Sequence, residues 1–127
     1  GAVSYERGRP MPLSHGAPSK TILAQLPPRR LEALAATIEC ENSAGFDAEA
    51  FRRQLRDIRK QGYCITRGEV DPGVVGIAVP LTAPRRGIVA SLGIACFGMP
   101  DDVTLARVRA LLVATAETIK ASLPAAA

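Results

Sequence analysis

Tryptophan is missing from this sequence, and aromatic residues make up only 4% of its 127 positions. Proteins that hold single-stranded nucleic acid stack bases on aromatic rings, so two Tyr and three Phe argue against that role. Histidine occurs once, as His15, and the three cysteines, Cys40, Cys64 and Cys96, are scattered without a CxxC spacing. An odd, dispersed set of thiols builds neither a disulfide framework nor a zinc ribbon, and it fits a reducing, cytoplasmic setting. One imidazole among dispersed carboxylates offers no metal-ligand spacing, so no metal and no cofactor is expected. No apolar run approaches the roughly 18 residues of a membrane span, and no basic-then-apolar leader opens the chain. A membrane is therefore not an expected partner.

Positive charge is in excess. Lys and Arg number 16 against 12 Asp and Glu, for a net charge of +4 and a pI near 9.3. A basic balance suits phosphate binding, but it needs a recognition element to act through. The densest cluster, Arg52, Arg53, Arg56, Arg59 and Lys60, lies opposite a Phe51, Leu55, Ile58 stripe at helical spacing, which makes it the solvated face of a helix. An acidic partner or DNA is the alternative for that cluster.

The length suits one domain, residues 1–127, with a single core. Gly8, Pro10 and Pro12 keep the first dozen residues irregular, with an extended, edge-like segment around Met11 to Ser14. Pro18 suits the first turn of a helix running to Leu26, and Pro27-Pro28 ends it and starts another, with Leu31, Leu34 and Ile38 in phase. Asp47 caps a third helix, Phe46 and Phe51 stand at staple positions, and Gly62 falls at a left-handed C-cap. Beyond it the period shortens to strands at Tyr63–Thr66, Val74–Leu81 and Ile88–Cys96, the last two joined by Ala83-Pro84-Arg85-Arg86-Gly87. Pro100-Asp101-Asp102 opens a final helix. Three helices, three strands and a helix, with a tight hairpin, give an α+β fold on an antiparallel sheet.

Chemistry on this scaffold is sparse. His15 paired with Cys64 or Cys96 would make a small thiol enzyme, but strand cysteines serve as small hydrophobes, and no catalytic residue is assigned. Gly16 to Thr21 lacks the GxxxxGK[ST] of a phosphate loop and reads as a loop entering a helix. The central strands are more informative. Gly76 and Ala78 on one, with Gly93 and Ala95 on the other, place small residues on one face, where a ligand or a closely packed helix would sit.

Gly8-Arg9-Pro10-Met11-Pro12-Leu13, followed by Ala17-Pro18-Ser19-Lys20-Thr21-Ile22-Leu23-Ala24, resembles the G-x-x-x-P-L…A-x-G-K-x-x-L-A stretch of the IclR family's effector-binding domain. Ile58-Arg59-Lys60-Gln61-Gly62-Tyr63, Gly68-Glu69, Gly73 and Gly76-Ile77-Ala78-Val79-Pro80-Leu81 are similar to its I-R-x-x-G-Y…G-E…G…I-A-x-P segment. Ser19 replaces a usual glycine and Ser14 a common histidine. The resemblance implies a GAF-like or PAS-like domain of a bacterial transcriptional regulator, with the winged helix-turn-helix domain and the opening strands and helix of the effector domain outside this chain. It implies a small-molecule effector, DNA as a partner only through that other domain, and association as a homodimer or homotetramer. Carried across residue by residue, the family's pocket falls on Met11, Ala17 and Pro18 over the ligand, and on Thr66, Gly76, Gly93 and Ala95 beneath it. The small side chains at the sheet positions lead us to expect a larger or more apolar effector, an aromatic or cyclic acid. Its carboxylate is expected at Thr66 or at the helix-start N–H groups from Pro18 to Lys20. A ligand-free interaction module is the alternative.

Overall fold

The strongest local signal in the sequence lies just before the sheet, and the computed structural model, which describes residues 7–42 and 44–124, reproduces it closely. Asp47 accepts a hydrogen bond from the Ala50 N–H at 3.0 Å, the Phe46 and Phe51 rings meet at 5.4 Å, and Gly62 closes the helix at φ 81°. The helix between these caps, Ala48–Gln61, is the third of four. Two precede it: α1, Ala17–Ala24, and α2, Pro28–Glu41, parted by a turn at Gln25 to Pro27. With Ala48–Gln61 as α3, the chain then runs through β1 (Cys64–Arg67), β2 (Val74–Ala83), a short 3-10 turn at Pro84–Arg86, β3 (Ile88–Phe97) and α4 (Asp102–Ser122). Asp101 caps α4 by accepting from the Thr104 N–H at 2.7 Å, and that bond holds its carboxyl below the usual carboxylate range. The fold is α+β, as the order of elements implies.

The sheet is antiparallel throughout, in the order β1-β2-β3. Its register sets Gly76 opposite Ala95 and Ala78 opposite Gly93, so the four small residues do share one face. Helices α1 and α3 cover that side, where Leu23, Leu55, Ile58, Cys64 and Ala78 form one buried cluster. On the other side Ile77 and Val79 pack with Leu112 and Ala116 of α4 into a second. Helices thus lie on both faces of the sheet, while much of β3 stays exposed, with Ile94 and Phe97 among its uncovered residues.

The charged face of α3 is solvated as expected except at Arg52, which is half-buried and pairs with Glu32 of α2 at 3.3 Å. Arg53, Arg56, Arg59 and Lys60 are exposed, and the ion pairs of Arg53 and Arg56 with Glu49, at 4.0 and 3.7 Å, are of the surface kind that contributes little. One expectation is corrected. The stretch from Met11 to Ser14 is not edge-like: Met11 and Pro12 lie in irregular chain, Leu13 and Ser14 in a turn, and none joins the sheet. Pro10 and Pro12 favour extended chain but do not pair it, and the segment instead runs beside His15, Glu69 and Val70 at the cavity's outer edge. The first six residues of the irregular N-terminal stretch lie outside the described residues.

Candidate ligand-binding site

Two glycines on the sheet decide how closely α1 can approach it. A Cβ on Gly93 would stand 3.0 Å from the Ile77 carbonyl oxygen and 3.3 Å from Pro18 Cγ; one on Gly76 would stand 3.0 Å from the Thr66 hydroxyl and 3.4 Å from Ala17 Cβ. The first turn of α1 therefore rests on the bare backbone of β2 and β3. The Ser91 hydroxyl fastens it there, donating to the Pro18 carbonyl at 3.0 Å. At the helix start Gly16 takes φ +90°, a left-handed conformation few other residues adopt, and a Cβ there would meet Val70 Cγ2 at 3.0 Å.

Beside this contact a cavity of about 160 Å³ remains between the start of α1, the Met11 segment, the β1–β2 turn and the sheet. Small sheet residues here serve close helix packing and open space together, where the sequence left the two as alternatives. The seven residues expected at a ligand, Met11, Ala17, Pro18, Thr66, Gly76, Gly93 and Ala95, all line this one cavity. Ala17 and Thr66 are buried, Met11 and Gly76 half-buried, and Pro18, Gly93 and Ala95 exposed. The lining is mostly apolar, and the Thr66 hydroxyl has no hydrogen-bond partner among the described residues.

One wall was missed by sequence reasoning. Glu69, Val70 and Asp71 of the β1–β2 turn line the cavity with His15 and Ser19. Glu69 is its electrostatic centre. Its Oε1 lies 2.7 Å from Lys20 Nζ and accepts from the Gly16 N–H at 3.2 Å, while its Oε2 accepts from Lys20 Nζ at 2.8 Å. Lys20 is only 6% exposed. A buried ammonium needs a fixed counter-charge, which Glu69 supplies from a turn 49 residues away, beyond the reach of any local sequence signal. The expected seats for a ligand carboxylate narrow accordingly. Pro18 has no N–H, and the Lys20 N–H donates to the Gly16 carbonyl at 3.1 Å.

Comparison with known proteins places the chain. Residues 2–121 match the bacterial transcriptional regulator IclR C-terminal family. The chain belongs to that family. A probable HTH-type transcriptional regulator, ArcR, from Halobacterium salinarum is 33% identical over 91 residues, 69% of this chain and 35% of the relative. The chain thus spans about a third of that relative's length. The C-terminal domain of the E. coli regulator KdgR superposes with TM-score 0.72 at 28% identity, covering 90% of this chain and 72% of that one. The inducer-binding domain of PobR from Acinetobacter, a double mutant in complex with 3-hydroxybenzoic acid, gives TM-score 0.68 at 22% identity over 91% of this chain and 73% of that one.

The thiols of this IclR C-terminal domain do not form a nucleophilic pair with its histidine. His15 is exposed at the cavity mouth, its Nδ1 2.9 Å from the Ser14 hydroxyl. Cys64 lies in the core under α1, where burial pushes its thiol up to about 11, with Lys20 pulling it down and Glu69 pushing it further up. A thiol held protonated is a poor nucleophile. Cys40 is exposed on α2 and Cys96 half-buried on β3. Among the described residues no three His, Cys, Asp or Glu side chains gather as metal ligands, and no helix is long and apolar enough to cross a membrane.

Proposed function

We infer that this domain is the effector sensor of an IclR-type transcriptional regulator, and that its cavity takes a one-ring organic acid, aromatic or cyclic. The observation that carries the reading is the cavity itself: about 160 Å³, mostly apolar, floored by Thr66, Gly76, Gly93 and Ala95. Protein cavities of roughly 150 Å³ accept benzene, so a single ring fits this one. The 3-hydroxybenzoic acid bound by the PobR domain is an acid of that size, which supports the assignment. Thr66 supplies a hydroxyl to the ligand, and Met11 covers it. The domain acts by binding rather than catalysis. DNA is contacted through another part of the full-length regulator.

The signal follows from linkage. A ligand held between α1 and the β1–β2 turn favours one arrangement of these elements, and its differential affinity, typically about 1–3 kcal/mol, is what shifts DNA binding. The test is thermal unfolding against benzoate, hydroxybenzoates, cyclohexanecarboxylate and glyoxylate. At about 100 times Kd a site-specific ligand adds about 2.7 kcal/mol, several degrees for a domain of this size. Selective stabilisation by the ring acids is expected. Stabilisation by glyoxylate alone would contradict the ring-sized pocket, and no stabilisation by any acid would favour an interaction module instead.

A further inference from the structure

Glu69 occupies the place where an incoming carboxylate would find its best partners. Glu69 joins two anion-binding groups: the Gly16 N–H, at the positive end of α1 and in the cavity wall, and the buried Lys20 ammonium, which does not itself line the cavity and lies against the place that Glu69 holds. Both are already engaged by one side chain of the protein, Glu69, which itself lines the cavity. We propose that Glu69 is a built-in competitor for the effector's carboxylate: the acid binds by taking Glu69's place at Gly16 and Lys20. This rests on the ligand-pocket reading above.

Charge arithmetic makes the exchange feasible where simple displacement is not. Removing Glu69 alone would leave Lys20 buried without a counter-ion, a costly state. Replacing one carboxylate by another leaves Lys20 paired throughout. The displaced group also has somewhere to go. Lys20's side chain is 7% exposed but Glu69's is 27% exposed, so the acid is the mobile member of the pair. Glu69 also lines a second, outer groove together with Arg9 and His15, and rotation toward that groove carries its charge toward the Arg9 guanidinium. The consequence is mechanical as well as electrostatic. Glu69 ties the β1–β2 turn to the start of α1 across 49 residues of sequence, and the exchange unties them. The binding of an acid thereby becomes a change in how the turn is held. A neutral ring of the same shape fills the cavity without breaking this tie.

The experiment compares wild type with Glu69→Gln and Glu69→Ala, using sodium acetate, benzoate and the neutral isostere benzamide as probes. Glu69→Gln keeps an acceptor for Lys20 and Gly16 but removes the competing charge. Benzoate is expected to bind it at least tenfold more tightly than wild type by calorimetry, with benzamide changed less than twofold. In Glu69→Ala, acetate is expected to raise the melting temperature saturably, which sodium chloride at equal ionic strength does not, while wild type gains nothing from acetate. If Glu69→Ala folds only when acetate is present, that dependence is the same positive result. Benzoate binding Glu69→Gln no better than wild type, or acetate acting alike on wild type and Glu69→Ala, would overturn the proposal. The acetate comparison does not need a ring pocket. If neither ring compound binds any of the three proteins, the pocket reading fails while acetate still decides the role of Glu69.

Discussion

The two faces of the sheet are built from alternate residues of the same strands, yet they solve different problems. Toward α4, Ile77 and Val79 meet Leu112 and Ala116, and Leu81, Leu92 and Val108 pack around them. Toward α1, the same strands offer Gly76, Ala78, Gly93 and Ala95, and the helix comes down nearly onto backbone before a cavity opens beside it. The first face is filled by branched side chains and does structural work. The second trades side-chain volume for room and places its polar groups, Thr66 and the Lys20–Glu69 pair, at the edge of that room. Cavity-lining residues and α4-packing residues are thereby sorted by parity along β2 and β3, while the α1 side also carries the buried cluster around Leu23, Leu55 and Ile58.

That separation can be broken from the packed side first. Ile77→Ala removes a fully buried side chain from the α4 face and is expected to cost about 2–5 kcal/mol in denaturant unfolding. Ring-acid affinity of the folded variant should stay within a factor of two; a tenfold loss would mean that the faces are not independent. On the α1 face the glycines carry a cost of their own. Gly93→Ala drives a Cβ against the Ile77 carbonyl, and a loss of roughly 1–3 kcal/mol in the same assay is expected. Larger residues at position 93 would disturb the β2–β3 ladder along with the cavity, so they do not probe the cavity alone.

Alkaline titration sharpens the comparison on the closed part of the α1 face. Cys64 is buried beneath α1, and its thiol titrates near 11 in the fold against 9.0 ordinarily. Because the folded value is raised, the contribution of the protonated thiol is complete below pH ~9 and is lost as pH rises from there through 11. The loss approaches roughly 2 kcal/mol at the upper end, read as the difference in pH dependence between wild type and Cys64→Ala. Equal slopes for both proteins above pH 9 would show that water reaches the thiol. The smallest effect belongs to a site off both faces. Asp47→Ala removes the α3 cap and should cost about 1 kcal/mol of stability with ligand affinity unchanged.

Much of this arrangement can be read from the chain itself, for reasons that are local. The caps of α3, the prolines between α1 and α2 and the alternation along β2 and β3 are short-range signals, and the observed elements fall within a few residues of them. The small-residue face is visible because two residues per repeat decide which side they share. What could not be read is long-range. Lys20 and Glu69 are 49 residues apart, and nothing near either announces the pair. The choice between packing and cavity at Gly76 and Gly93 depends on where α1 comes to rest, a property of the whole fold. The Met11 segment is misread for a related reason: its prolines permit an extended chain, and whether that chain meets a sheet edge is decided by the whole fold.

The most direct test of the account is calorimetric titration of benzoate into wild type and Ala95→Leu. Ala95 lines the cavity with an exposed side chain, so a leucine fills the space from the sheet without entering the core. The account predicts that wild type binds benzoate, that Ala95→Leu loses at least tenfold in affinity, and that its unfolding free energy stays within about 1 kcal/mol of wild type. Unchanged affinity in a stably folded Ala95→Leu would contradict the assignment of this cavity as the effector site.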